Sequence, residues 1–431
     1  MKATDVAAVE RVAAELDEEI LALRRRIHAF PERSWMEQET ADLVVDRLTA
    51  AGLAPQRLAG TGVVCDIGRD ARAAGRRRIA LRADLDALPV PETTGLPYAS
   101  QRSGLSHACG HDLHTAAVLG AGLVLARLAE EGRLPVGVRL VFQPSEEGHP
   151  SGARTLVEQG VLDPVEQIFT LHTAPKLDVG VIGSRIGPIT AASDALKVTL
   201  RASGGHTSRP HLTGDVVFAL GTLITQLPAV LGRRLDPRSG VNLTWGAVQA
   251  GSAANSIPAT GSVSGTLRSL DVATWRRAGE LVEEAVAHIL APYDVEVTLD
   301  RHMGVPPVDN QEQCVATIEA AARSVLGDDG VVLTEQSLGG EDFAWYLTQV
   351  PGAMIRLGTR TPGGRAYDLH QGDLEIDERA VGIAMRVMAT TAMEAARRDR
   401  PPTPPLRQGR PSRPAVVIDP PAPPPAAGRI P

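Results

Sequence analysis

Short segments rich in valine and isoleucine alternate with helical stretches along most of this chain, and that alternation is the strongest restriction on its fold. GVVCDIG around Cys65, RIALRADLD around Asp84, VGVRLVFQP before Ser145 and QIFTLHT ending at Thr173 read as strands. Between them lie an apolar, alanine-rich helix from Thr115 to about Glu131 and a short helix, SGARTLVEQG, closed by Gly160. Strands linked through helices favour a mainly parallel sheet covered on both faces. Two helices broken at Pro31 precede them; Leu16, Ile20, Leu23 and Ile27, three and four residues apart, form one apolar face.

The rhythm changes after Ser184. DALKVTLRA, GVNLTWGAVQAG and ATGSVSGTLRSL read as longer strands with partial alternation, beside helices from about Gly214 to Leu227 and from Val272 to about Leu290. Two strand–helix–strand units of this kind make a small α+β domain of split-βαβ, ferredoxin-like type. Beyond Val305 the earlier style returns, with helices at 310–325 and 377–397 and a strand in AMIRLG. The expected organisation is an α/β domain in two parts, 1–187 and 305–397, interrupted by an inserted domain, 188–304. A chain of 431 residues suits two cores better than one. Residues 398–431 are proline-rich and are read as a disordered or polyproline tail.

Charge and composition exclude some partners. A net charge of -7 and 3% aromatic residues oppose a nucleic-acid surface, which needs a positive field and stacking rings. Cys65, Cys109 and Cys314 are widely spaced and form no disulfide framework. The first residues carry charges where a signal peptide would be apolar, and no apolar run was long enough to suggest a membrane span. The expected location is the cytoplasm.

The chemistry concentrates in His107-Ala-Cys109-Gly-His111-Asp112-Leu-His114. Cys109 and His111, two apart in turn or extended backbone, can face the same way. Thiolate and imidazole with nearby carboxylates suit zinc or another divalent first-row metal. His114 is open as a ligand, a hydrogen-bond partner or a surface residue. Glu146 and Glu147 follow a strand and point in different directions, so one can bind metal while its neighbour handles a proton. Glu146 suits the proton transfer and Glu147 the metal. His172 lies in a strand and His370 in a polar loop; open parallel sheets gather ligands at strand C-termini. Asp84 or Asp112 could fix the tautomer of a metal-bound imidazole. In the inserted domain, His206 could donate to an oxyanion, with His211 as a neighbouring contact. Asn255 and Arg268 could hold a substrate carboxylate.

HAFPERSWMEQET from His28, RADLDALPVPE from Arg82, HACGHDLH from His107, FQPSEEG from Phe142 and LHTAP from Leu171 occur in order. GGHTSRPH from Gly204, NSIP from Asn255, GTLR ending at Arg268, GGEDFAWY from Gly339 and LHQGD around His370 follow. Together these resemble the M20 metallopeptidase clan in its amidohydrolase branch, over about residues 15 to 395. The resemblance implies hydrolysis of linear amides in small N-acyl amino acids or amino-acid conjugates, with dipeptides as the alternative substrate. It implies two divalent ions (Zn, Mn, Co or Ni) on Cys109, His111, Glu147, His172 and His370, Glu146 as general acid/base and Asp84 in support. It further implies a homodimer formed through the inserted lid domain, His206 completing the neighbouring subunit's site, and recognition by Asn255 and Arg268. Ser208-Arg209 stand where relatives often have small residues, and Arg209 could favour a second anionic group.

Other classes fit less well. A cysteine hydrolase would leave His111, Glu147, His172 and His370 without a shared task. A dinucleotide oxidoreductase would need a strand–GxGxxG–helix signature that is missing. A noncatalytic metal-binding sensor or interaction protein would tolerate loss of Glu146.

Overall fold

The computed structural model describes residues 3–58, 60–68, 78–397 and 416–418. The chain divides into two compact units, one of residues 1–189, 308–336 and 342–407, the other of 190–307, 337–341 and 408–431.

The first unit opens with α1 (Ala3–Ala29) and α2 (Gln38–Ala50). It continues through β1 (Gln56–Leu58), β2 (Gly62–Ile67), β3 (Arg78–Asp84), α3 (His111–Glu130), β4 (Val138–Gln143), α4 (Gly152–Glu158) and β5 (Val165–Asp178). Short strands β6 (Ile182–Ser184) and β7 (Gly187–Pro188) follow. The second unit contains β8 (Ala192–Arg201), β9 (Gly205–His206), α5 (Val216–Arg234), β10 (Asn242–Ala250), β11 (Ser256–Ile257), β12 (Thr260–Ser269), α6 (Val272–Leu290) and β13 (Glu296–Val305). Back in the first unit come β14 (Asp309–Asn310), α7 (Glu312–Leu326), β15 (Val331–Leu333), α8 (Ala344–Leu347), β16 (Gly352–Arg360) and α9 (Arg379–Ala395).

The large sheet has the order β1-β2-β4-β3-β5-β16-β6-β15. Its centre, β4-β3-β5-β16, is parallel, while β1/β2, β2/β4 and β16/β6 are antiparallel. The sheet is therefore mixed around the expected parallel core. Alternation along the strands feeds both faces. Ile79, Leu81 and Ala83 of β3, with Leu140 and Phe142 of β4, join the core that α1, α3 and α9 cover. Ala80 and Val141 point oppositely, to Ala153 and Leu156 of α4 and Phe343 and Tyr346 near α8. Burying each such Leu or Phe is worth about 1.5–3 kcal/mol. Ile20 and Ile27 of the predicted α1 stripe are buried, and Leu16 and Leu23 pack at its margin.

In the second unit the antiparallel sheet β10-β12-β8-β13, with α5 and α6, has the expected split-βαβ, ferredoxin-like connectivity. Leu220, Leu223, Leu227 and Leu231 of α5 share its core with Val198 and Leu200. By length and composition alone, α3 and α5 are long and apolar enough to cross a membrane, a test that core helices also pass. The apolar window of α3 is 89% buried in protein, and its stretch is a core helix.

Of the proline-rich tail, Val416–Ile418 forms strand β17, antiparallel to Val297–Leu299 of β13. These three residues depart from a wholly disordered tail; the rest of that expectation lies outside the described residues.

Candidate active site

The polar residues of the first unit converge where β3 and β4 end, β5 passes and α3 begins. The parallel register sets Asp84, the last residue of β3, beside Gln143, the last of β4. Gly110 at the start of α3 has φ +83, and a Cβ there would stand 2.5 Å from Thr173 Cγ2. Glycine thus meets two demands at once, left-handed backbone and close approach to β5. That contact places Cys109 and His111, on either side of it, against His172.

Cys109 Sγ lies 3.5 Å from His172 Nε2. The ligand atoms of Cys109, His111 and His172 fall within 4.8 Å of one another, as do those of Cys109, Glu147 and His370, and of His111, Glu146 and Glu147. All five expected ligands are thereby linked through Cys109 and His111. His370 Nε2 is 2.9 Å from Glu147 Oε1. Its own backbone, at φ +62, is pinned by an N–H donated to Ala108 O at 2.7 Å.

Hydrogen bonds fix the imidazole tautomers. His172 Nδ1 is 2.8 Å from Thr173 O, and His111 Nδ1 is 2.9 Å from Asp86 O. A carbonyl only accepts, so each Nδ1 donates its proton and Nε2 is the nitrogen left for a metal. His111 Nε2 is buried without a hydrogen-bond partner, 3.9 Å from Asp84 and 4.0 Å from Glu146. Burial, with Arg356 nearby, holds His172 well below the usual imidazole range, so its ring is neutral. Burial would also lower His111, but Asp84 and Cys109 overcome it and hold that ring well above its usual value. Burial pushes the Cys109 thiol up to about 12. A buried orphan nitrogen, two oriented imidazoles, a thiol, a carboxylate and a field that favours positive charge fit divalent cations, which would displace the Cys109 and His111 protons.

The supporting groups differ in detail from the sequence reading. Asp84 accepts from His114 Nδ1 at 2.7 Å and from Arg82 Nη1 at 2.6 Å. Asp112 pairs with Arg24 Nε at 2.7 Å and His28 Nδ1 at 2.8 Å, on the α1 side. Asp86 is the carboxylate that steadies His111, 3.3 Å from its Nδ1, and it also accepts the backbone N–H groups of Glu146 (3.1 Å) and Glu147 (3.0 Å). The sequence signal was the alternation in Asp84-Leu-Asp86 just beyond β3. Glu146 Oε1 accepts the backbone N–H of Asp342 at 3.4 Å. Asp342 was not singled out from sequence.

Within the second unit, β9 pairs with β11 and sets His206 opposite Ser256, next to Asn255. Asn255 O accepts the Thr207 N–H at 3.3 Å. His206 Nδ1 accepts the Ser208 N–H at 3.1 Å, so Nε2 bears the proton of the neutral ring. His211 is exposed in a short 3-10 turn, and Arg268 Nη1 donates to Leu338 O.

A fold with this sheet, inserted α+β unit and clustered ligand set defines a metallohydrolase class, and the comparisons agree. Residues 80–394 match the model of peptidase family M20/M25/M40, and the chain belongs to that family. A Rhodococcus jostii (strain RHA1) protein provisionally named glutamate–cysteine ligase 2-3 is 48% identical over 89% of this chain, which spans only 48% of that protein's length. N-acetyl-L-cysteine deacetylase of Bacillus subtilis (strain 168) is 35% identical, over 85% of either chain. The crystal structure of the Bacillus subtilis YXEP protein, described as a dinuclear metal-binding peptidase of family M20, superposes with TM-score 0.75 at 30% identity, covering 88% of this chain and 98% of that one.

Proposed function

We propose that this chain is a metal-dependent amidohydrolase that cleaves the linear amide of small N-acyl amino acids or amino-acid conjugates. The observation that carries the reading is the meeting of Cys109, His111, Glu147, His172 and His370, with Glu146 beside them. These five residues would hold two divalent ions, which when bound supply an acidified water and a polarised carbonyl. Glu146 takes the proton of the attacking water and delivers it to the leaving nitrogen. Asp86 and Asp84 hold the surrounding groups in place. His206 offers its Nε2–H to the developing oxyanion, and Asn255, Arg268 and His211 recognise the substrate carboxylate and its surroundings.

One relative bears on the amine side: it is named for N-acetyl-L-cysteine, so N-acylated cysteine heads the substrate series. The second unit exposes Val217 and Phe218 of α5 and Val248 of the edge strand β10. A second copy of the chain is the partner that would cover them, giving a homodimer through the inserted domain. The three free, buried cysteines suit the reducing cytoplasm.

The test is hydrolysis of N-acetylcysteine, other N-acetyl and N-benzoyl amino acids, and dipeptides, after chelation and reloading with Zn, Mn, Co or Ni. Metal-restored cleavage of N-acyl amino acids is expected, with Glu146→Gln keeping its metal and losing turnover about 10²–10⁴-fold. Cleavage of dipeptides alone would make it a dipeptidase. Full metal loading with no turnover on any substrate would favour a metal-binding sensor.

A further inference from the structure

Asp342 is a carboxylate sealed inside the first unit, with its side chain 1% exposed. Such a charge is costly to bury unless its oxygens are saturated with donors. Here they are. Oδ1 accepts from Arg82 Nη2 at 3.0 Å and Gln143 Nε2 at 2.8 Å. Oδ2 lies 2.9 Å from Gln143 Nε2, 2.7 Å from Ser151 Oγ and 3.1 Å from the Ala153 N–H.

The donors come from three directions, β3, β4 and the start of α4, so the side chain cannot shift without breaking several bonds. Fixing the side chain fixes the backbone that bears it. The N–H of that same residue is the group directed at Glu146 Oε1, 3.4 Å away. At that distance the bond is long, and its value is directional. Arg82 extends the frame, because its Nη1 holds Asp84 while its Nε bonds Gln143 Oε1 at 2.8 Å. Asp342 is also the first residue of the first unit after the chain leaves the second.

We propose that Asp342, braced by Arg82, Gln143 and Ser151, is a positioning residue for Glu146: it aims a backbone N–H that sets where the reacting carboxylate stands. This rests on the proton-transfer role proposed for Glu146. Misplacing a reacting group by about 1 Å can cost on the order of 10²-fold in rate.

The experiment compares the full-length, metal-loaded parent with Asp342→Glu, which keeps the charge for Arg82 but pushes the backbone back by one methylene. Turnover is expressed per site holding two ions. The expected result is a kcat about 10- to 100-fold lower with KM within about threefold, and no further loss when Asp342→Glu is added to Glu146→Gln. A kcat near the parent's overturns the proposal, as does an equal loss on the Glu146→Gln background, because a structural role would lower both alike. Should Asp342→Glu not fold, Gln143→Met removes two of the donor contacts more gently and is held to the same two criteria. If Glu146→Gln itself turns over normally, the proton-transfer role fails; if only the Asp342 variants do, that role stands and the positioning role falls.

Discussion

Thr173 donates its backbone N–H to Nε2 of His114 over 2.9 Å, which leaves Nδ1 of that ring to donate to Asp84. Both nitrogens are thus engaged, and His114 is a strut between β3 and β5, not a metal ligand. His114→Ala should retain two ions per chain by elemental analysis while losing about 1–3 kcal/mol for each buried group left unpaired. Loss of one ion with stability unchanged would make it a ligand after all.

Asp86 holds His111 through its backbone and carboxylate oxygens and also receives the N–H groups of Glu146 and Glu147. Asp86→Ala is expected to weaken metal binding about 10–100-fold, measured by competition with a chelator. The matching Asp112→Asn change, on the far α1 network, should affect metal binding less and stability more.

Gly110→Ala forces a left-handed backbone on an L residue and drives a methyl into Thr173. The conformation alone costs about 1–2 kcal/mol. A lowered melting temperature together with looser metal binding is expected, and a Thr173→Ser partner change should recover part of both. An unaltered melt would contradict the packing described.

Acid should expose the Glu92–His28 pair. Burial alone would raise Glu92, but hydrogen bonds from His28, Thr94 and the Ser100 N–H hold it down at about 2 instead of its ordinary 4.5. The folded state therefore binds fewer protons than the unfolded one in that window, and this contribution, present above about pH 4.5, is lost as the pH falls toward 2. His28 has the opposite sense: burial opposes its charge, Asp112 and Glu92 raise it, and its contribution fades as the pH rises through the raised value. Chemical denaturation of Glu92→Gln should show a flatter decline between about pH 4.5 and 2 than the parent. Equal slopes would remove Glu92 from the account.

The proposed dimer predicts complementation. Mixed subunits carrying His206→Ala and Glu146→Gln should regain a fraction of activity if His206 serves the neighbouring site. Confirmed hybrids that stay inactive would confine His206 to its own subunit.

Local pattern alone determined a good deal here. The alternation of strand and helix, the switch of rhythm after Ser184 and the i, i+3, i+4 stripe of α1 are periodicities of the backbone itself, readable wherever one face is buried. Cys109 with His111, and Glu146 with Glu147, are also legible as pairs, because the members of each pair lie within two residues of each other at element ends. What only the tertiary structure decided was which carboxylate serves which ring. Asp84, Asp86 and Asp112 are equivalent as letters, yet the pleat of β3 and the turn at Gly110 send them to His114, His111 and Arg24 respectively. Asp342 and Glu146 meet for the same reason: hydrogen bonds reach across about 3 Å of space irrespective of distance along the chain, and sequence order records only the latter.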